Sequence, residues 1–227
     1  MEKIGDIPFS LDAEALMARC RITPGSEDAR EFEDLLKQAR EKGRPKAIYA
    51  ERFIEDRQGD RVQIGSIWFE SAALVRNLRG ARRLFPFVAT CGQEMDRINP
   101  TDGDMLKDYW WDTIKERLLG AAEKHLREHL HSAFRLDKTA TMRPGAAEAS
   151  VWPIEQQQDL FELLGDVEAQ VGVRLTDSSL MMPNKSTSGL LFPTETDFRS
   201  CEVCRRENCP SREAAFNEEL WNEIHTG

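Results

Sequence analysis

The chain has 227 residues, with 31 Lys and Arg against 40 Asp and Glu for a formal charge of −9. That acidic balance argues against sequence-independent nucleic-acid binding, which needs Lys and Arg to neutralise phosphates. No apolar run reaches the about eighteen residues of a membrane helix, and Met1–Asp6 lacks the basic start and apolar stretch of a secretory signal. With 40% hydrophobic residues, enough for one ordinary core, the expectation is a soluble, cytoplasmic protein: one large domain, or a domain with an appendage.

Two helices open the chain. One is expected from about Asp12 to Arg19 behind Ser10. The second follows Pro24–Gly25, is capped by Ser26, and spaces Phe32, Leu35, Leu36 and Ala39 along one face before Gly43 and Pro45 stop it. From Lys46 the period changes. Ile48, Ala50 and Phe53, a turn at Gln58–Gly59–Asp60, then Val62, Ile64 and Ile67 suggest a hairpin. Glu70–Arg79 reads as helix, and Leu84–Thr90 as a buried strand. Cys91–Gly92 turns into a short helix. Asp102–Gly103–Asp104 announces the longest helix, to about His131, carrying Leu106, Trp110, Ile114, Leu118, Ala121, Ala122 and Leu126. A strand near Lys138–Met142, the loop Arg143–Pro144–Gly145–Ala146, and a helix from Pro153 through Leu164 follow. Short strands are expected at Val173–Thr176, Ser179–Met182 and Ser188–Phe192. The mixed order gives an α+β class, a single mixed α/β body with N-terminal helices and a cysteine-rich tail. It divides into residues 1–87, 88–193 and 194–227, the last ending in a polar helix with Trp221 and Ile224.

Of five cysteines, Cys201, Cys204 and Cys209 fall within nine residues. In a reducing compartment, Cys201-x2-Cys204-x4-Cys209-Pro210 favours a metal over disulfides, because thiolates on one short loop can converge on one ion. Thiolates suit zinc or an iron–sulfur cluster, and either in closed form needs a fourth ligand. Cys91 is the first candidate if the tail folds back, with Cys20 and His225 as alternatives. A cluster would pass single electrons, zinc would only staple the tail, and unliganded or redox-active thiols are the remaining possibility.

Other groupings have plainer readings. His125 and His129 have metal-binding i, i+4 spacing, but with His131 they also suit a helix C-terminus by charge alone. Tyr109–Trp110–Trp111 reads as a core wedge and Met181–Met182 as packing. Arg76, Arg79, Arg82 and Arg83 read as a solvated face or as a dock for an anionic partner.

Four stretches carry a resemblance: Ala89–Glu94, the long helix with Leu118–Leu130, Trp152–Gln157, and the irregular run Val171–Gly189. Residues 88–192 resemble the activation domain of cobalamin-dependent methionine synthase, especially its short stand-alone relatives. The resemblance implies a mixed α/β domain that meets a cobalamin-bearing, or other corrinoid-binding, methyltransferase partner. In the family the domain binds S-adenosylmethionine while cob(II)alamin is reduced by one electron and trapped by methyl transfer, so that the protein mainly positions the reactants. By the resemblance, Glu128 matches a glutamate associated with S-adenosylmethionine, though it also reads as solvent-facing. Arg143 and Gly145 stand in the family's donor-gripping loop, where the family arginine is displaced or lost, and Ser186 and Ser188 either shape a cleft or merely satisfy backbone groups. The loop departs from the family pattern: Ala146 replaces its tyrosine, and Leu190–Leu191 replace a second aromatic, so methyl-donor binding stays open. Three functions remain: an accessory protein for reductive activation with the cysteine cluster as electron relay, a catalytic component binding S-adenosylmethionine, or a non-catalytic interaction module with structural zinc.

Overall fold

The structure, a computed structural model, describes residues 1–196, 198–209 and 212–226. The chain enters through strand β1 (Glu2–Ile4) into α1 (Ala13–Cys20) and α2 (Glu27–Lys42). The cap of α1 is Asp12 rather than Ser10, its carboxylate accepting the Ala15 N–H at 3.1 Å. Ser26 caps α2 in the same way through Ala29. Strands β2 (Lys46–Tyr49), β3 (Arg52–Gln58), β4 (Arg61–Ile64) and β5 (Ile67–Glu70) lead to the short α3 (Ala72–Asn77) and to β6 (Arg83–Thr90).

The expected two-stranded hairpin thus has two more breaks, after Tyr49 and after Ile64, and two more strands. β6 pairs along the same edge with β2, through Tyr49–Phe87 to Lys46–Thr90, and then with β3, through Arg52–Leu84. Pro86 sits between those two stretches, and its carbonyl accepts the Ala50 N–H at 3.1 Å. A residue in an antiparallel ladder points N–H and C=O to the same side, so the donor that proline lacks falls where β2 gives way to β3. This is how a proline is accommodated in a central strand. The helix expected from Glu70 begins instead at Ala72, because Ile67–Glu70 pairs with β4.

The long helix α4 (Met105–Phe134) is capped by Asp104, which accepts the Leu106 and Lys107 N–H groups. It is followed by β7 (Thr139–Met142), a 3-10 turn (Ile154–Gln156) running into α5 (Gln157–Leu164), α6 (Val167–Val171), β8 (Arg174–Leu175), β9 (Met181–Met182) and β10 (Ser186–Pro193). The Met182–Pro183 peptide is cis. The tail holds a 3-10 turn (Ser200–Val203) and α7 (Glu218–Thr226). Eight strands form the main sheet, with β10 between β6 and β7; β8 and β9 pair separately.

β6 is apolar from Leu84 to Ala89 because both of its faces are covered there. Phe85, Phe87 and Ala89 meet Ala122, Leu126 and Leu130 of α4. On the other face Val88 meets Leu164 and Val167 of α5 and α6, and Leu84 joins α3 and β4. The helices α1 and α2 clamp the first half of α4, where Trp110 is 1% exposed against Phe32; Tyr109 faces outward. The result is the α+β class expected, with the sheet between α4 and the α5–α6 pair. Phe198, Val203, Leu220, Trp221 and Ile224 of the tail share one buried cluster with β4, β5 and α3.

Where β6 ends, Gly92 adopts φ +97°, and a Cβ built there would press on the Arg44 carbonyl and lie 2.7 Å from Glu94 Oε2. Backbone at that φ strains any L side chain. Gly92→Ala is therefore expected to cost about 2–3 kcal/mol in urea denaturation, from strain plus overpacking. A loss under about 0.5 kcal/mol, the scale of an ordinary surface change, would show that the turn gives way.

Candidate functional site

The cysteine loop is built around Arg212. Its Nη1 donates to the carbonyls of Cys201 (3.1 Å) and Ala214 (3.1 Å), and its Nη2 to those of Cys204 (3.0 Å) and Arg206 (2.5 Å). Its own backbone N–H donates to the Cys209 carbonyl at 3.2 Å. One residue therefore bonds the main chain of all three cysteines. Val203, fully buried, pins the turn between Cys201 and Cys204 to the core. Outer fastenings are the Asn217 N–H on the Glu202 carbonyl (2.8 Å) and the Arg205 N–H on Glu148 Oε1 (3.0 Å). All three thiols are half-buried, and Cys201 Sγ accepts the Glu213 N–H at 3.4 Å. Pro210 lies outside the described residues. Among the described residues, no three His, Cys, Asp or Glu side chains are gathered into a metal-sized cluster.

The expected fourth ligands sit elsewhere. Cys91 is fully buried at the end of β6, in the cluster with α1, α2 and α4, whereas the tail packs with α3, β4 and β5. Burial above all, with the nearby Asp96, pushes its thiol up to about 12. Cys20 lies in the same cluster as Cys91, and burial raises its pKa too. His225 has both nitrogens engaged, Nδ1 with the Trp221 carbonyl (2.8 Å) and Nε2 with Ser150 Oγ (3.2 Å), and stacks on Trp221.

The five residues assigned to the methyl donor by resemblance are spread over the body. Glu128 lines an open cleft of about 270 Å³ with Phe9, Ser10, Arg117 and His125, and lies 3.8 Å from Lys124 Nζ. Arg143 lies against the sheet, its Nη2 2.7 Å from Glu123 Oε1, beside a crevice of about 10 Å³ with Phe87 and Leu191. That crevice is far smaller than the about 300–1,000 Å³ of usual ligand pockets. Gly145 turns the chain at φ +71°, its N–H on the Trp152 carbonyl. Ser186 Oγ donates to Thr90 Oγ1 (2.9 Å), and the buried Ser188 Oγ donates to Gln157 Oε1 (2.9 Å).

Beside the Pro183–Ser186 segment the structure adds a polar centre not expected from the sequence. Lys115 Nζ, its side chain 9% exposed, lies 3.1 Å from Asp96 Oδ1 and 3.0 Å from both Asp112 Oδ1 and Asn184 Oδ1. Lys185 Nζ holds the other Asp112 oxygen at 3.1 Å. Burial pulls the Lys115 ammonium down, but the bonds and charges of Asp112 and Asp96 outweigh it, and its pKa stands above the ordinary lysine value. Burial likewise works against the Asp112 carboxylate, but Lys115 and Lys185 outweigh it and hold its pKa low. The centre ties α4 to the turn before β10. A signal did exist: Lys115 falls four residues after Trp111 and three before Leu118, on the buried face of α4, where a lysine needs partners.

An antiparallel-strand sheet backed by one long helix, with a cysteine loop fastened to its flank, defines a compact α+β domain class. The chain belongs to the family described as the activation domain of vitamin B12 dependent methionine synthase, whose model matches residues 87–210, from β6 through the cysteine loop. Among solved structures it is similar to the MetH reactivation domain bound to AdoHcy, with TM-score 0.60 and 18% identity, covering 87% of this chain and 80% of that one. No curated protein matches the chain. Among the described residues, no helix is long and apolar enough to cross a membrane.

Proposed function

We propose that this chain is an accessory protein for the reductive activation of a corrinoid-dependent methyltransferase such as methionine synthase. Its body, residues 88–193 with the 1–87 segment, docks the cobalamin-bearing partner, and the 194–227 tail holds a redox centre on Cys201, Cys204 and Cys209. The observation that carries the reading is that the family match runs on into a thiol loop fastened to the same packed body. The donor set fits iron–sulfur or zinc by its chemistry, and rotation about χ1 is the soft coordinate by which the sulphurs would converge. An iron–sulfur cluster supplies one-electron transfer, which cobalt reduction needs and zinc cannot give. The chain's residues hold it: Arg212 fixes the loop, and Val203 anchors the loop to the core.

Anaerobic purification is expected to give a brown protein absorbing near ~400 nm, with iron and sulfide in roughly equal amounts, about four of each per chain. It should pass electrons to cob(II)alamin on a corrinoid protein. Cys201→Ser should abolish both the colour and the transfer. A colourless protein with one zinc would leave only the structural reading.

The AdoHcy bound to the similar reactivation domain favours a second reading, methyl-donor binding at the Glu128 cleft. Calorimetric titration with S-adenosylmethionine tests it. Heat that disappears in Glu128→Gln supports it, and no heat with the native chain rules it out.

A further inference from the structure

One wall of the cleft beside Glu128 is the Pro8–Ser10 segment between β1 and α1; the other is α4, with Arg117, Gly120, Ala121, Lys124 and His125. Spacings of three and four residues put these α4 positions on one face of the helix. Gly120 and Ala121 therefore leave a depression between Arg117 on one side and Lys124 and His125 on the other. Glu128 is the one acid among the described residues that line it.

Two independent features mark this surface. The side chains of Arg117 and His125 have no hydrogen bond or ion pair with any described residue. Lys124 comes only within 3.8 Å of Glu128, with both side chains mostly exposed. In a chain of formal charge −9, a concave surface lined by uncommitted cationic donors raises the local concentration of anions. The second feature is Gly120 itself. It lies in the middle of a 30-residue helix, where glycine is among the least favourable residues. A Cβ built there would meet nothing within 4 Å, so the packing of α4 does not require it. A ligand lying on the helix does, because any longer side chain would fill the depression.

We propose that this cleft binds a small phosphate ester, its phosphate on Arg117, Lys124 and His125 and its organic part over Gly120 against Phe9. A guanidinium offers a fork of donors, an ammonium a compact charge and an imidazole a further N–H, a set that matches the three oxygens of a phosphate dianion better than the two of a carboxylate. The cleft, at about 270 Å³, has room for more than a bare inorganic anion. The assignment is independent of the metal reading, and it differs from the methyl-donor reading in using the cationic end of the cleft rather than the Glu128 carboxylate.

The test is an amide-resolved NMR titration of the full chain. Adenosine monophosphate, a phosphate ester with a ring, should shift the amides of Phe9, Ser10 and Arg117–Glu128. Inorganic phosphate should shift them more weakly, and adenosine, which lacks the phosphate, should leave them in place. Arg117→Gln and Lys124→Gln should each weaken the adenosine monophosphate response about 10-fold or more, the scale of one lost charge-assisted hydrogen bond. Gly120→Gln should abolish it while raising the melting temperature by about 1–3 °C, since glutamine is the better helix former.

No shifts from adenosine monophosphate, an equal response to adenosine, or native-like affinity in both charge variants or in Gly120→Gln overturns the site. A lower melting temperature in Gly120→Gln overturns it too, because the glycine would then serve the fold. Shifts from S-adenosylmethionine with none from adenosine monophosphate remove the phosphate site and leave the methyl-donor reading standing; the opposite pattern removes that reading and supports this one.

Discussion

Replacing Lys115 with methionine is expected to lower the free energy of unfolding by about 3 kcal/mol, the low end of the ~3–5 kcal/mol seen when one partner of a buried ion pair is removed. The low end applies because Asp96 and Asp112 keep 30% and 41% of their side-chain surface exposed and can recover some hydration. The loss comes from the acceptors left behind, not from lost packing, since methionine fills the same volume along Trp111 and Leu118. A second replacement, Asp112→Asn, should therefore recover part of the loss by removing one stranded charge. Urea denaturation of the two variants checks this. A loss below about 1 kcal/mol in Lys115→Met, within the range of an exposed pair, would mean that the centre behaves as a surface ion pair.

The same centre sets a pH window. The pKa of Lys115 is raised on folding, so its contribution is complete below the unfolded value of about 10.4 and fades as pH climbs through the folded one. That of Asp112 is lowered, so its contribution is present above about 3.9 and fades as pH falls through the folded value. The stability gap between native and Lys115→Met chains should be widest between about pH 5 and 10 and narrow on either side. A gap constant from pH 4 to 11 would place the effect in packing.

What could be read from the sequence divides by the range of the interactions. The caps at Ser26 and Asp104, the apolar face of α2 and that of α4 from Trp110 onward are local, and each lies where the sequence puts it; Leu106, expected on the α4 face, is exposed in its first turn. β6 was legible as the run Leu84–Thr90, apolar up to Ala89. The fork opposite it was not, because the break after Tyr49 depends on Pro86 arriving from 36 residues away. β1, three residues on a sheet edge, and α6, five residues between Asp166 and Gly172, are too short to show a period. At the site, cysteine spacing identified the loop, and family likeness identified the body. Arg212 left no pattern, because it bonds carbonyls that every residue carries. Of the residues carried over by likeness, Glu128 faces a cleft beside Phe9 and Arg143 pairs with Glu123 against the sheet, contacts between distant segments that no local pattern encodes.

Trp221→Ala is expected to be the costliest single change in the tail, about 3–5 kcal/mol by the usual scale for truncating a buried tryptophan. Its ring is 6% exposed, stacks on His225 with centroids 3.8 Å apart, and carries the Arg205 guanidinium 4.0 Å above it. It also lies in the cluster that joins α7 to α3 and β4. A nine-residue helix has little stability alone, so α7 without its anchor should leave the body. The cysteine loop, whose Glu202 carbonyl holds the Asn217 N–H at the entrance to α7, should loosen with it. Limited trypsin digestion reads this directly through Arg205, Arg206 and Arg212: cleavage within the loop should become fast while the body stays intact. Hydrogen exchange should show protection lost in α7 and retained in β6 and α4. If instead the tail stays protected and the whole chain loses stability in one transition, residues 194–227 fold as part of the body rather than as an appendage. A redox centre placed there would then share the body's rigidity.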